Sequence, residues 1–291
     1  MEVFRSLLFV PGNRDDMLQK SLQLQPDVLV PDMEDSVPLS EKQTARDCVN
    51  KFLLSINDRS RKLIPRINSL NTGLLEEDLI AVVGNGILGV SVGKIDSPWE
   101  ISQISKILES LERKVSVPVG STKLIPWIET ARGVANAVGI CHSSSRILGV
   151  AFGAEDFTAD MAIPRTEDGQ ELMFARTAVA IAARSARIEA LDTPYVNFRD
   201  LDGLKRESLL ARGLGYRGKF AIHPGQIDVV NNSFSPSPDE VNYARAVINA
   251  IQEAELEGKG ATSLDGKMID APVVERARKL LEIAALIEEN P

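Results

Sequence analysis

The chain has 291 residues, of which 44% are hydrophobic and 25% charged, the balance of an ordinary globular fold. Asp and Glu outnumber Lys and Arg by 41 to 33, a net charge of −8, which argues against nucleic acid and anionic membrane as partners. Two cysteines, Cys48 and Cys141, are too few for a disulfide framework and point to a reducing compartment, and no apolar run approaches the roughly eighteen residues of a membrane span.

Read in chain order, short apolar runs alternate with stretches of helical period. The first run, residues 6–10, begins so early that these residues leave no room for a signal or transit peptide. A cytoplasmic protein is therefore expected, or one of an organellar matrix if a longer precursor is trimmed. The second run, 27–30, leads into Asp32, Glu34 and Asp35. The third, 63–67, carries Arg66, and the fourth, 88–92, is followed by Gly93 and Lys94. The fifth, 124–128, stops at Glu129, and the sixth, 147–152, stops at Gly153, Glu155 and Asp156. The seventh, 190–196, has the weakest pattern, and the eighth, 220–222, precedes His223 and Pro224. Helical stretches lie between, such as 101–111, where Ile101, Ile104, Leu108 and Leu111 recur three and four apart.

Eight alternations predict a (β/α)8 TIM barrel over residues 1–230. Lys123 and Lys219 precede their runs, which places them at the rim away from the chemistry. Residues 231–238 read as a polar linker, 240–258 as a long helix, 261–272 as a loop and 271–289 as a last amphipathic helix. This C-terminal helical extension, 231–291, is surplus to the barrel. It must pack on its own subunit, pack on a neighbour or serve as a lid.

A parallel barrel keeps its chemistry at the carboxyl ends of its strands. There the pattern gathers Asp32, Glu34, Asp35, Arg66, Lys94, Glu129, Glu155, Asp156 and His223. The excess of acids wants a cation, and Arg66 wants an anion. A divalent metal with an arginine fork suits a carboxylate or oxyanion substrate. Blander readings stand beside this one: Glu129 and Asp156, or Glu34 and Asp35, capping the next helix, Arg66 in an interior ion pair, and His223 as a turn residue. Lys94 at a strand end also admits an imine mechanism. Cys141 and His142, about 100° apart on a helix, make a poor nucleophile–base pair.

The ordered set Arg5-Ser6-Leu7-Leu8-Phe9-Val10-Pro11-Gly12, Asp32-Met33-Glu34-Asp35-Ser36, Arg66-Ile67-Asn68, Ile128-Glu129-Thr130, Gly153-Ala154-Glu155-Asp156, Ile222-His223-Pro224 and Asp265-Gly266-Lys267-Met268-Ile269-Asp270 spans the chain. In this it resembles the citrate lyase β-subunit-like branch of the aldolase/citrate lyase superfamily. The resemblance implies a magnesium-dependent lyase, with manganese as a possible substitute. It would cleave or form a short 3-hydroxy-acyl-CoA, such as citramalyl-CoA or malyl-CoA, with a 2-oxo acid as the other product.

The resemblance puts metal ligands at Glu129 and Asp156, with Glu129 also near substrate. It puts the oxyanion-stabilising arginine at Arg66, an acidic pair near the metal at Glu34 and Asp35, and a carboxyl-terminal acid at Asp270. It also implies a homotrimer or higher oligomer. Arg14 and Lys20, close after the first strand, are candidate contacts for the phosphates of coenzyme A. Two relatives in function remain open: a citrate lyase subunit acting on an acyl-carrier protein, and a free-acid pyruvate aldolase.

Overall fold

The computed structural model describes residues 3–58, 60–256 and 258–289. They form two compact units, Phe4–Asn231 on one hand and Val3 with the residues from Asn232 onward on the other.

The larger unit is a closed parallel barrel. Its strands among the described residues are β1 (Ser6–Pro11), β2 (Val28–Asp32), β3 (Lys62–Leu63), β4 (Arg66–Ile67), β5 (Gly89–Val92), β6 (Lys123–Ile128), β7 (Gly149–Phe152), β8 (Glu189–Asp192) and β9 (Gly218–Ala221). β3 and β4 are two halves of the third barrel strand. Pro65 has no N–H to give the ladder, although its carbonyl still accepts from Ser91 N–H at 2.8 Å. Pairing runs β2-β4-β5-β6-β7-β8-β9-β1, and β1 closes the ring by pairing in parallel with both β9 and β2. The connections carry α1 (Asp15–Ser21), α2 (Lys42–Ser55), α3 (Leu75–Val82), α4 (Pro98–Lys114), α5 (Ala131–Ala135), α6 (Ala137–Cys141), α7 (Ala154–Asp160), α8 (Met173–Ala186), α9 (Leu201–Leu214) and α10 (Ile227–Phe234).

Side chains alternate along each strand, so positions two apart share the barrel interior. The interior core holds Leu7, Val28, Val30, Ile64, Ile125, Trp127, Ala151, Leu191 and Phe220. Near its upper end Phe9 stacks on Phe220 at 5.1 Å and on Trp127 at 5.8 Å between ring centroids. Trp127 Nε1–H donates to Ser91 Oγ at 2.6 Å. An unpaired indole there would cost about 1–3 kcal/mol. Arg66 lies directly on this aromatic layer, its guanidinium carbon 4.5 Å from the Phe9 centroid. Two residues beyond Val30, Ile64, Ser91, Trp127 and Ala151 come Asp32, Arg66, Gly93, Glu129 and Gly153. The same alternation that fills the core thus aims these positions into the mouth.

Lys219 departs from its expected place. It lies within β9 and is fully buried. Its Nζ donates at 2.6 Å to both Asp192 on β8 and Glu207 on α9, so it faces the helix layer. Arg176 on α8 joins the same two acids at 2.8 and 2.9 Å. Lys123 does begin its strand, and its Nζ donates to Gly120 O at 3.0 Å. His142 Nε2 lies 3.0 Å from Ser185 Oγ.

The smaller unit contains α11 (Pro238–Leu256), the antiparallel pair β10 (Thr262–Leu264) and β11 (Lys267–Ile269), and α12 (Ala271–Glu289). Ala244, Val247, Ile251, Ile269, Val274 and Ala277 form its core. Two expectations are corrected here. The segment expected to be a linker is largely helical, because Ile227, Val230 and Phe234 recur on one face of α10 and are buried. The segment expected to be a loop is a hairpin turning on Asp265 and Gly266, both at positive φ (49° and 73°), the geometry that Asp-Gly favours.

Candidate active site

Asp32, at the end of β2, is buried beneath the mouth. Its carboxylate accepts from Arg66 Nε at 2.7 Å and Nη2 at 2.6 Å. It also accepts from the backbone N–H groups of Glu34 at 2.9 Å and Ser36 at 3.2 Å. Burial alone would raise its pKa; the Arg66 charge and these donors outweigh burial and hold it below the usual range. One edge of the guanidinium is therefore spoken for by a permanent partner. Nη1 turns instead to Asp35 at 3.0 Å and Glu34 at 3.4 Å. Asp35 is 54% exposed, a partner that an incoming anion can displace.

Glu129 and Glu34 meet over Gly93. A Cβ built on Gly93 would stand 2.9 Å from Glu129 Oε1 and 2.9 Å from Glu34 Oε1. The two oxygens are thus no more than twice that distance apart, and only glycine leaves them the space. Gly153 does the same on the other side, where a Cβ would come within 2.7 Å of Glu129 Cβ. Lys94 N–H donates to Glu129 Oε1 at 2.5 Å from a left-handed backbone (φ 56°), and Lys94 Nζ lies 3.8 Å from Glu34 Oε1. Burial, then the charges of Asp156 and Glu34, push Glu129 up to about 8. Burial pushes Glu34 up to about 7, with Arg66 opposing and Asp35 adding. Two adjacent buried acids held above their ordinary values form a site short of positive charge.

The model of the HpcH/HpaI aldolase/citrate lyase family matches residues 5–224. The chain belongs to that family. Among its relatives, the citrate lyase subunit beta of Leuconostoc mesenteroides subsp. cremoris is 39% identical, over 96% of this chain and 93% of its own length. The mitochondrial citramalyl-CoA lyase of Rattus norvegicus is 35% identical, over 98% of this chain and 87% of its own. The structure of protein CitE from Mycobacterium tuberculosis in complex with magnesium, acetoacetate and coenzyme A superposes with a TM-score of 0.81 at 28% identity, covering 96% and 97% of the two chains. As a member of this aldolase/citrate lyase family, the chain is a lyase.

The donor set at this family member's mouth fits magnesium. Glu129 and half-buried Asp156, third residue of α7, offer hard carboxylate oxygens, and Glu34 stands beside them. Among the described residues no three His, Cys, Asp or Glu side chains form a closed metal-binding group. A hard cation of this kind is held by one or two carboxylates, with water and substrate filling the remaining positions.

The geometry also brings in residues that the sequence reading passed over. The sequence pattern groups Asp32 with the rim acids and gives it no partner. Buried Lys42, at the start of α2, donates to the carbonyls of Met33 and Glu34, each at 2.8 Å. Asn68 Nδ2 donates to Met33 O at 3.0 Å. Asp78 accepts from Asn68 N–H at 2.8 Å and from Arg46 Nε at 2.7 Å. This buried scaffold of α2, α3 and the residue after β4 holds the turn that presents Glu34. The signal in the sequence was only polar residues at apolar helical positions.

Other expected residues have partners of their own. Arg14 and Lys20 are exposed on and beside α1, and both pair with Asp16, at 3.2 and 3.7 Å. Glu155 turns away to Arg165 at 3.5 Å. Asp270, in the smaller unit, caps α12, its Oδ1 accepting Val273 N–H at 3.3 Å. Among the described residues no helix is long and apolar enough to cross a membrane.

Proposed function

We propose that this chain is a magnesium-dependent lyase that cleaves or forms a short 3-hydroxy-acyl-CoA, with citramalyl-CoA or malyl-CoA as substrate. The observation that carries the reading is the unbalanced acid pair Glu34–Glu129 beside an arginine with one committed edge and one displaceable partner. In cleavage the C3 hydroxyl loses its proton and the C2–C3 bond breaks. The bonding pair passes to the thioester enolate, and C3 becomes the oxo carbon of the 2-oxo acid. Protonation of the enolate carbon then gives the shorter acyl-CoA.

Magnesium, when bound, would supply a Lewis acid for the hydroxyl and carboxylate oxygens, and manganese is expected to substitute. Glu129 and Asp156 would hold it, with Glu34 and Asp35 beside them. Asp32 orients Arg66, whose other edge meets the developing oxyanion once Asp35 is displaced. Asp270 is the proposed acid for the enolate carbon, working on a neighbouring subunit of a homotrimer or larger oligomer. Mixing Asp270→Asn with Glu129→Gln under subunit exchange tests that arrangement: complementation supports a shared site, and dead mixtures refute it.

A second reading has its own support. The beta subunit relatives of Leuconostoc mesenteroides subsp. cremoris and Escherichia coli are 39% and 40% identical to this chain, so a citryl thioester on an acyl-carrier protein is the rival substrate. The deciding experiment gives the isolated chain magnesium and citramalyl-CoA or malyl-CoA and follows 2-oxo acid release. Turnover supports the CoA reading. Silence that is broken only by a citryl-carrier protein overturns it.

A further inference from the structure

Arg66, Lys42 and Lys94 are cations beside the acids of the mouth, and each is held differently. Arg66 is clamped by Asp32 at 2.7 and 2.6 Å and lies on the Phe9 ring. Lys42 is buried and gives its ammonium to two backbone carbonyls. Lys94 is loose. Its Nζ stands 3.8 Å from Glu34 Oε1 and 3.9 Å from Asp35 Oδ1, beyond the roughly 2.7–3.2 Å of a formed N–H···O bond. Its side chain is 41% exposed, on a flexible four-carbon stem that can swing into water.

The backbone that carries this side chain is fixed. Lys94 follows Gly93, on which Glu34 and Glu129 converge. It adopts a left-handed conformation, φ 56°, and its N–H donates to Glu129 Oε1 at 2.5 Å. Glycine takes that conformation freely, whereas any residue with a Cβ is strained in it. Strain of this kind persists where the side chain serves a purpose that glycine cannot. Packing is not that purpose for a side chain so exposed. Positive charge beside Glu34 and Asp35 is.

From this geometry we infer that Lys94 is the chain's own counter-cation. Its ammonium partly neutralises the acids of the mouth in the metal-free chain and gives way to an arriving divalent cation, so that Lys94 sets how tightly the mouth takes that cation. Two cations beside one carboxylate repel each other. An ammonium at 3.8 Å with room to swing outward can yield, whereas Arg66, tied twice to Asp32, cannot. The N–H remains on Glu129 Oε1 whichever way the side chain points. Lys94 therefore orients one carboxylate through its backbone and tunes cation affinity through its charge. This role rests on the magnesium reading proposed above and is independent of the thioester carrier.

Calorimetric titration of the metal-free full chain with magnesium chloride reads the counter-cation without any turnover. Lys94→Asn removes the charge and suits the left-handed backbone. It is expected to bind magnesium about 10-fold tighter than the parent, the scale of one like charge a few ångströms away in a hydrated mouth. Lys94→Gly, which keeps the N–H and relieves the backbone, should bind as Lys94→Asn does. Lys94→Arg keeps the charge and should bind as the parent does. Binding by both neutral variants that is no tighter than the parent's overturns the counter-cation and leaves the magnesium reading standing. No binding by the parent or by any variant at millimolar magnesium refutes the magnesium reading, and the counter-cation with it.

Discussion

Two clusters of charge belong to the barrel, one facing inward at the mouth on the arc from β2 to β7 and one facing outward to the helices from β8 and β9. In the outer cluster, Arg176 and Lys219 meet Asp192 and Glu207 at 2.6 to 2.9 Å, and Arg165 extends the set to Glu171 at 2.9 Å. Every charge has an opposite neighbour. Although burial opposes it, the charges of Lys219 and Arg176 drive Glu207 down to about 2. At the mouth, Asp32, Glu34, Asp35, Glu129 and Asp156 outnumber the cations beside them among the described residues, Arg66 and Lys94 with Lys42 beneath, and Glu34 and Glu129 are driven up. Balanced charge of this kind serves the fold. Unbalanced charge in a solvent-facing mouth is held at a cost to stability, and a bound cation would relieve it.

The difference can be broken most severely in the outer cluster. Lys219→Met would leave Asp192 with Arg176 alone and Glu207 with Arg176 and the more distant Arg165, and is expected to cost about 3–5 kcal/mol in urea unfolding. Adding Asp192→Asn should recover part of that loss. A single variant within 1 kcal/mol of the parent, taken here as roughly the margin of an exposed pair, would show that the network is not what holds β8 and β9 to α8 and α9.

Arg66→Lys tests the mouth. It keeps the charge and loses the two-pronged contact with Asp32. Turnover is expected to fall by ~10²–10³, with a smaller change in KM. A change confined to KM would place Arg66 in ground-state binding alone.

Glu129→Gln should separate the two clusters by sign. In metal-free protein at pH 8 it removes one of two crowded acids, so the variant should be more stable than the parent, by on the order of 1–2 kcal/mol. Magnesium should raise the melting temperature of the parent and not that of the variant. A variant that melts lower than the parent without metal would contradict the crowding.

The pH profile reads both clusters at once, and they bend it in opposite directions. Glu34 and Glu129 have folded-state pKa values near 7 and 8 against an ordinary 4.5. The folded metal-free chain therefore holds protons that the unfolded chain has released. Their contribution is complete below about pH 4.5 and is lost as pH rises through 7 and 8. Glu207 is depressed from 4.5 to about 2, so its contribution is present above 4.5 and lost as pH falls towards 2. Melting of the metal-free parent minus that of Glu34→Gln/Glu129→Gln should slope downward between pH 5 and 8. A flat difference would remove the alkaline limb.

Legibility followed the range of the forces involved. Strands ending in acids could be read because a buried parallel strand is a local apolar run and its end is a local change of polarity. Asp32, Arg66 and Glu129 could even have been aimed inward by counting two from Val30, Ile64 and Trp127. Lys219 could not be placed, since a lysine inside a four-residue strand looks like the residue before it until Asp192, Glu207 and Arg176 are known to surround it. The hairpin at Asp265-Gly266 and the apolar face of α10 were legible and were passed over. Turn-forming and polar residues nearby masked the period.

The amino-acid sequence by itself determined the eight-fold alternation, the closing pattern of a barrel and the delivery of acids and Arg66 to one rim. Each follows from alternation and helical period within a few residues. Tertiary structure alone decided the partnerships. Asp32 clamps Arg66 from 34 residues away, and Lys94 donates to Glu129 across 35. Gly93 and Gly153 clear the space in which Glu129 and Glu34 crowd each other. Those pairings exist because ring closure sets strands distant in sequence side by side, and an ion pair depends on distance in space.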